Sequence, residues 1–209
     1  MITHPHKDEN GQTVNIRNPH TPSHESTWHD PKATATFTPN SSVPDHLKSK
    51  SEHSGMALGE PEYHQVNGLH TASGSVVVEP DHRVWLVSPT NAFGGYRYTF
   101  PKGTAEPGHS LQHTAMKETH EESGMHVELT HHLGDYERST SKARMYVAKR
   151  IGGSPADMGW ESQAAHLVPM KDLHNYVHSA VDHKIVDDLH RHFAKHMAME
   201  SVKAMFKSI

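Results

Sequence analysis

The chain has 209 residues, 33% of them hydrophobic, and 20 Lys and Arg against 24 Asp and Glu give a formal net charge of −4. That length holds one compact domain of about 150 residues with additions, not two full enzymes, and the charge balance argues against a basic surface for duplex nucleic acid. With no cysteine there is no disulfide framework, thiolate nucleophile or thiolate-ligated zinc, and no apolar run approaches the ~18 residues of a membrane span, so a cytoplasmic protein without a membrane partner is expected.

Residues 1–67 read as an irregular N-terminal arm. Pro5, Pro19, Pro22, Pro31, Pro39, Pro44 and Pro61 interrupt every hydrophobic period, and no regular structure is expected before about Leu69. Trp28, Phe37, Leu47 and Met56 are spaced apolar residues, so the segment is either an arm laid over the domain or partly disordered. The pattern then changes. Ser75-Val76-Val77-Val78-Glu79, a Pro80-Asp81 turn and Val84-Trp85-Leu86-Val87 predict two strands joined by a turn. Gly94-Gly95 belongs to a loop, and Tyr96–Phe100 reads as a short aromatic strand ending at Pro101.

From Ser110 to Ser123 there is no Pro or Gly. Leu111, Ala115 and Thr119 recur every fourth residue, which predicts a helix with Ser110 as N-cap and Gly124 as its stop. Val127–Leu129, Tyr136–Ser139 and Arg144–Lys149 read as strands, a loop runs from Gly152 to about Gln163, and Ala165–Val168 reads as a further strand. Residues 176–209 form a helical extension whose apolar stripe, Ile185, Leu189, Phe193, Met197 and Val202, packs on the domain or on a second copy as a homodimer. These elements indicate an α/β fold, a sandwich around a mixed sheet over residues 68–175. The 23 histidines are scattered, and most of them read as solvated surface residues. His192 and His196 stand at i, i+4, a geometry compatible with zinc, but Phe193-Ala194-Lys195 between them rules out a His-Glu-x-x-His protease motif, and they too read as surface.

The predicted helix also carries chemistry. Glu118, Glu121 and Glu122 stand at i, i+3 and i+4 and project from one side, continuing the Leu111/Ala115 face. On an arbitrary helix such residues are a solvated acidic face. Here Phe100-Pro101-Lys102-Gly103 and Pro107-Gly108 form a glycine-bearing loop leading straight into the acidic segment, which can bring backbone carbonyls near the same point. Mutual repulsion of three carboxylates is relieved by a hard divalent cation, and oxygen-only ligation suits magnesium or manganese.

The segment from Gly103 to Met125 resembles the box of the Nudix hydrolases, G-x5-E-x7-R-E-U-x-E-E-x-G-U, with U a bulky aliphatic residue. Gly103, Glu118, Glu121, Glu122 and Gly124 match in register, and Met125 fills the last aliphatic position. His109 stands where the family has its first Glu, Lys117 where it has Arg, and Thr119 where it has an aliphatic residue. The resemblance implies an α/β/α sandwich and ligation of Mg2+ or Mn2+ by Glu118, Glu121 and Glu122 with the Gly103 carbonyl. It also implies that one of these glutamates, or an acid on a distant loop, with Glu161 the choice, deprotonates the attacking water. His109 and Lys117 take the supporting positions of the motif. Lys102, Arg97, Lys142 and Arg144 are candidates for the substrate phosphates by proximity in sequence.

The implied reaction is metal-assisted cleavage of a phosphoanhydride in a small diphosphate or polyphosphate. The Phe-Pro-Lys-Gly lead-in is similar to members acting on dinucleoside polyphosphates or diphosphoinositol polyphosphates; nucleoside triphosphates, capped RNA and ADP-ribose are alternatives. Phe93, Tyr96 and Tyr98 either stack on a base or pack the sheet, and packing is favoured. The rival reading is a Nudix-fold nucleotide-binding or regulatory module without catalysis, which His109 and Lys117 bring into view.

Overall fold

The computed structural model describes residues 1–47, 49–50 and 57–207. In chain order it runs β1 (Ile2–Thr3), β2 (Asn15–Ile16), α1 (Glu25–Trp28), β3 (Ala35–Phe37), β4 (Ser49–Lys50), β5 (His70–Val77), β6 (Arg83–Pro89), β7 (Lys102–Thr104), α2 (Leu111–Ser123), β8 (Met125–Glu137), β9 (Ser141–Gly153), β10 (Ser162–Pro169) and α3 (Ala180–Lys207). Met56 and the side chain of Val202, both marked by the sequence pattern, lie outside the described residues.

Valine-rich β5 lies at the heart of a mixed sheet. It runs parallel to β9, with Val76 opposite Val147, and antiparallel to β7, while β8 pairs β9 antiparallel along most of its length. A strand with neighbours on both edges and a helix layer on each face is apolar on both sides, and Ala72 to Val77 are buried without a break. A second sheet has the order β3-β10-β6, all antiparallel. The core on one side gathers Phe37, Trp85, Met125 and Tyr146 with Ala115 of α2. The core on the other gathers Phe100 and Met145 with Ile185, Val186 and Leu189 of α3. This is the α/β/α sandwich that the sequence implied.

Local chemistry explains α2. The Ser110 hydroxyl accepts the His113 N–H at 3.1 Å, and Gly124 closes the helix in the left-handed region at φ 72°. A side chain at Gly124 would also meet the Ser154 carbonyl at 2.2 Å, so two separate constraints demand glycine there.

Three sequence expectations are corrected. Tyr96–Phe100 is not a strand, because only the bridge between Val87 and Thr99 pairs there. Val127–Leu129 and the first two residues of the expected Tyr136–Ser139 strand belong to one element, β8, which ends at Glu137 and whose register shifts at three bulges hide its continuity from a period-two reading. The expected pair of strands joined by a turn is present as β5 and β6, which share one bridge, Val78 to Val84, before β6 leaves for the other sheet. The stretch ahead of Leu69 contains regular structure: β3 pairs β10, with Phe37 opposite Ala165. Three residues, Ala-Thr-Phe, carry no period of their own, and their pairing partner is remote in sequence. Arg83, 3% exposed, fastens this segment by donating to the Thr27 carbonyl at 2.9 Å and the Trp28 carbonyl at 2.5 Å.

The apolar stripe of α3 is real for two turns and then runs out. Ile185 and Leu189 are buried, Phe193 is half-buried and Met197 is 64% exposed. Among the described residues no helix is long and apolar enough to cross a membrane.

Candidate active site

α2 and β7 bring the acidic face and the glycine loop into contact. A Cβ placed on Gly103 would lie 2.1 Å from a Glu118 carboxylate oxygen, so the carboxylate end is seated directly against the loop backbone, and any side chain at 103 would push it away. The Lys102 N–H donates to a Glu122 carboxylate oxygen at 3.0 Å. The three carboxylates are not equivalent: the Glu118 side chain is 12% exposed against 53% for Glu121. Burial pushes the Glu118 carboxyl up to about 7 despite the opposing Lys117, with Glu121 and Glu161 adding repulsion. Burial likewise raises Glu122, opposed by Lys102 and reinforced by Glu161 and Glu118. Carboxylates buried this way favour the bound proton unless a cation takes its place, and the donors are all oxygen, although the three glutamates do not bring their carboxylate oxygens within 4.8 Å of one another. The residues present therefore fit a hard divalent ion.

The three departures from the family box each have a structural counterpart. Lys117 is held by Glu106 at 3.2 Å, Glu121 at 2.9 Å and Glu118 at 3.7 Å. These partners, the Glu121 hydrogen bond foremost, raise its pKa. His109 sits 3.6 Å from the same Glu106, so the loop supplies a carboxylate three residues ahead of the expected position. Thr119 is fully buried, yet satisfied: it donates to the Ala115 carbonyl at 2.6 Å and shares a 2.5 Å hydrogen bond with Ser75 of β5. A polar pair inside the sandwich stands in for an aliphatic contact.

A cavity of about 580 Å³ opens on this cluster, lined by Lys102, Glu122 and Glu161 at its floor and by Tyr96, Phe93 and Trp160. It shares Pro89, Asn91 and Tyr96 with a second cavity of about 520 Å³ that contains Arg17, His20 and Arg97. The backbone here is strained, since Asn91 of the shared wall and Ala92 beside it both lie at φ 55°. Asn91 is held there from several directions: its N–H donates to Gln163 at 2.8 Å, its side chain donates to the Asn15 carbonyl at 2.8 Å, and it accepts the Arg17 N–H at 2.9 Å. The N-terminal segment thus builds part of the cavity.

The predicted cations separate. Lys102 and Arg97 line the joined cavities. Lys142 donates to the His64 carbonyl and stands over the Tyr63 ring. Arg144 is buried, with its guanidinium engaged by Asp135 at 2.7 Å and Glu60 at 3.5 Å. Neither lines the cavities, which corrects the proximity argument for both. Among the aromatics, Tyr98 packs edge-on against His166 and Tyr176, as favoured, whereas Phe93 is 83% exposed at the cavity. Trp160, Glu106 and Arg17 were not singled out from sequence. The Glu-Pro-Gly lead-in was a usable signal for Glu106, while Trp160 and Arg17 reach the cavity only through the fold.

A sequence model described as the NUDIX domain matches residues 68–189. No match was found among curated proteins. Among solved structures, a NUDIX hydrolase from Nitrosomonas europaea superimposes with a TM-score of 0.51 at 15% identity, over 59% of this chain and 89% of that one. A second from the same organism gives 0.49 at 22% identity over 61% and 75%. The MutT protein from Methanosarcina mazei Go1 gives 0.49 at 14% identity over 61% and 98%. At 15% identity the first of these speaks for the fold alone, while the sequence match covers more than half of the chain in the segment that contains the acidic helix. The chain therefore belongs to the Nudix family.

Proposed function

We propose that this protein is a magnesium- or manganese-dependent hydrolase of a phosphoanhydride in a nucleoside-diphosphate derivative, with dinucleoside polyphosphates as the first choice. Nudix hydrolases use divalent metal ions. The observation that carries the reading is the close approach of Glu118 to Gly103 and of Glu122 to the Lys102 N–H, with Lys102 and Glu122 lining a cavity that also has aromatic walls. Glu118, Glu121 and Glu122 with the Gly103 carbonyl would hold the ion. When bound, the ion supplies charge neutralisation at the diphosphate oxygens and a lowered pKa for a coordinated water.

The chain's own residues do the rest. A carboxylate oxygen of Glu161 takes the proton of the attacking water, whose oxygen bonds to phosphorus as the bridging P–O bond breaks and the leaving phosphate departs with the electron pair. Lys102 at the floor and Arg97 and Arg17 in the adjoining cavity offset the charge on the phosphate chain. Trp160, Phe93 and Tyr96 offer ring faces to a nucleobase, which favours a nucleotide over an inositol polyphosphate. Lys117, paired with Glu106, is a positioning residue for Glu121 and Glu118.

A panel of dinucleoside polyphosphates, diphosphoinositol polyphosphates, nucleoside triphosphates, capped RNA and ADP-ribose, assayed with Mg2+ and with Mn2+ for released phosphate and nucleotide, tests the reading. Turnover fastest on a dinucleoside polyphosphate is expected. Binding of these ligands without cleavage of any would leave the regulatory module as the correct description.

A further inference from the structure

A second, chemically distinct cluster lies on the α3 side of the sheet. His131 projects from β8, and His192 and His196 stand one turn apart on α3. The fold brings together what the sequence separates by some sixty positions: the His131 and His196 Nε2 atoms are 3.3 Å apart. The ring centroids of the three lie 4.5, 4.7 and 5.0 Å from one another. One nitrogen from each ring falls within a common 4.8 Å, the only such group of three metal-binding side chains found among the described residues. We propose that His131, His192 and His196 form a zinc site that clasps the outer half of α3 to the edge of the sheet.

The donor chemistry selects the ion. Three neutral imidazoles suit a borderline cation such as zinc, and a hard ion such as magnesium prefers oxygen. Tetrahedral zinc with Zn–N bonds near 2.0–2.1 Å places its ligand nitrogens about 3.3 Å apart. The His131–His196 pair already has that spacing, and His192 needs only a side-chain adjustment. His131 and His196 are exposed, so three ligands leave a fourth position to water. The site lies next to the half-buried Phe193, where the buried stripe of Ile185, Val186 and Leu189 gives way to more exposed residues of α3. Other close histidine pairs in the described structure do not converge in this way: His174, for instance, meets His183 through Nδ1 and Asp187 through its opposite nitrogen, Nε2, so the three do not present their ligand atoms to one point.

The test uses the full chain, stripped of metal and then held in excess Mg2+ so that the oxygen site is satisfied. Zn2+ is titrated against a chromophoric chelator, and Co2+ serves as a spectroscopic probe of coordination. One zinc per chain is expected, with Co2+ giving the intense visible bands of a low-coordinate nitrogen site and Zn2+ raising Tm. His131→Ala and His196→Ala should each weaken zinc binding by about 100-fold or more and abolish the Tm shift. His174→Ala, in a neighbouring histidine cluster, should change neither. Far-UV circular dichroism verifies that the variants fold, and His131→Gln and His192→Gln provide gentler replacements. Zinc affinity unchanged in the His131 and His196 variants, or no zinc bound by the wild-type chain, overturns the proposal.

Discussion

Glu106 and Lys117 form a 3.2 Å ion pair across the junction of the glycine loop and α2. It fastens the start of the loop to the middle of the acidic helix, and Lys117 passes the constraint on to Glu121 at 2.9 Å. His109, at the motif position of an acid, is placed beside the same carboxylate. Glu106→Gln should therefore lower turnover by about two- to fivefold, the worth of one partly exposed pair, with no fall in Tm. Adding His109→Glu should return most of the loss, because it supplies a carboxylate to the same neighbourhood. Steady-state kinetics on the two single variants and the double variant decide the matter, and additive losses would mean that residues 106 and 109 do not share a role.

Glu118 and Glu122 are held above the ordinary carboxylate range chiefly by burial. Their charge is thus a cost to the fold that only function justifies. Glu122→Gln should cut kcat by at least about 100-fold at saturating Mg2+, while Tm stays level or rises. Calorimetry and kinetics on one preparation check both halves. A variant that unfolds early would show instead that Glu122 is structural, its contact with the Lys102 N–H serving β7.

How far such relationships could be seen in the sequence depended on their range. The acidic face of α2 was legible because i, i+3 and i+4 spacing fixes a helical face from local order alone. The cap residues Ser110 and Gly124 were legible for the same reason. Arg144 was misassigned because its partner Asp135 stands opposite it on β8, a pairing set by strand register and visible only in the sheet. β3 escaped notice since Phe37 alone among its three residues signals burial, and its partner Ala165 is far along the chain. His131 looked like any other surface histidine until the packing of α3 against β8 put it beside His196. Thr119 looked like a defect in the motif, and Ser75, on another element, makes it a matched pair.

Acid should weaken the fold through His166. This ring is buried, with Ser88 at 2.8 Å from Nε2 and Thr36 at 3.0 Å from Nδ1. Burial first, and the nearby His20 second, push its pKa down to about 3. The folded state therefore keeps the ring neutral while the unfolded chain protonates it near its ordinary value of about 6.5. Below that point the unfolded state binds more protons, so stability is lost as pH falls from about 6.5 toward 3. His4 and His20, also lowered by burial, act in the same direction. Denaturant unfolding from pH 7 to pH 4 should show this decline, and His166→Gln should flatten it while lowering stability at pH 7. An equal slope in both proteins would assign the acid sensitivity to other groups.

The N-terminal segment is the place where a loose arm and an integral part of the domain make opposite predictions. Phe37 is fully buried, stacked on Trp28 at 5.7 Å and set against Trp85 at 5.3 Å, and β3 completes the sheet that carries β10. Removing a ring from such a core costs about 3–5 kcal/mol, whereas a change on an arm resting at the surface falls within about 0.5 kcal/mol. Phe37→Ala should thus lower the unfolding free energy by the larger amount and shift the midpoint for the whole domain in a single transition. The same variant should disturb the cavity, because Arg17 lines it and the hydrogen bonds of Asn15 and Arg17 to the cavity residue Asn91 form only while the segment that follows them is seated. A loss of stability with unchanged KM would confine the role of the segment to packing, and a rise in KM alongside it would show that residues far ahead of the acidic helix help to shape the substrate pocket.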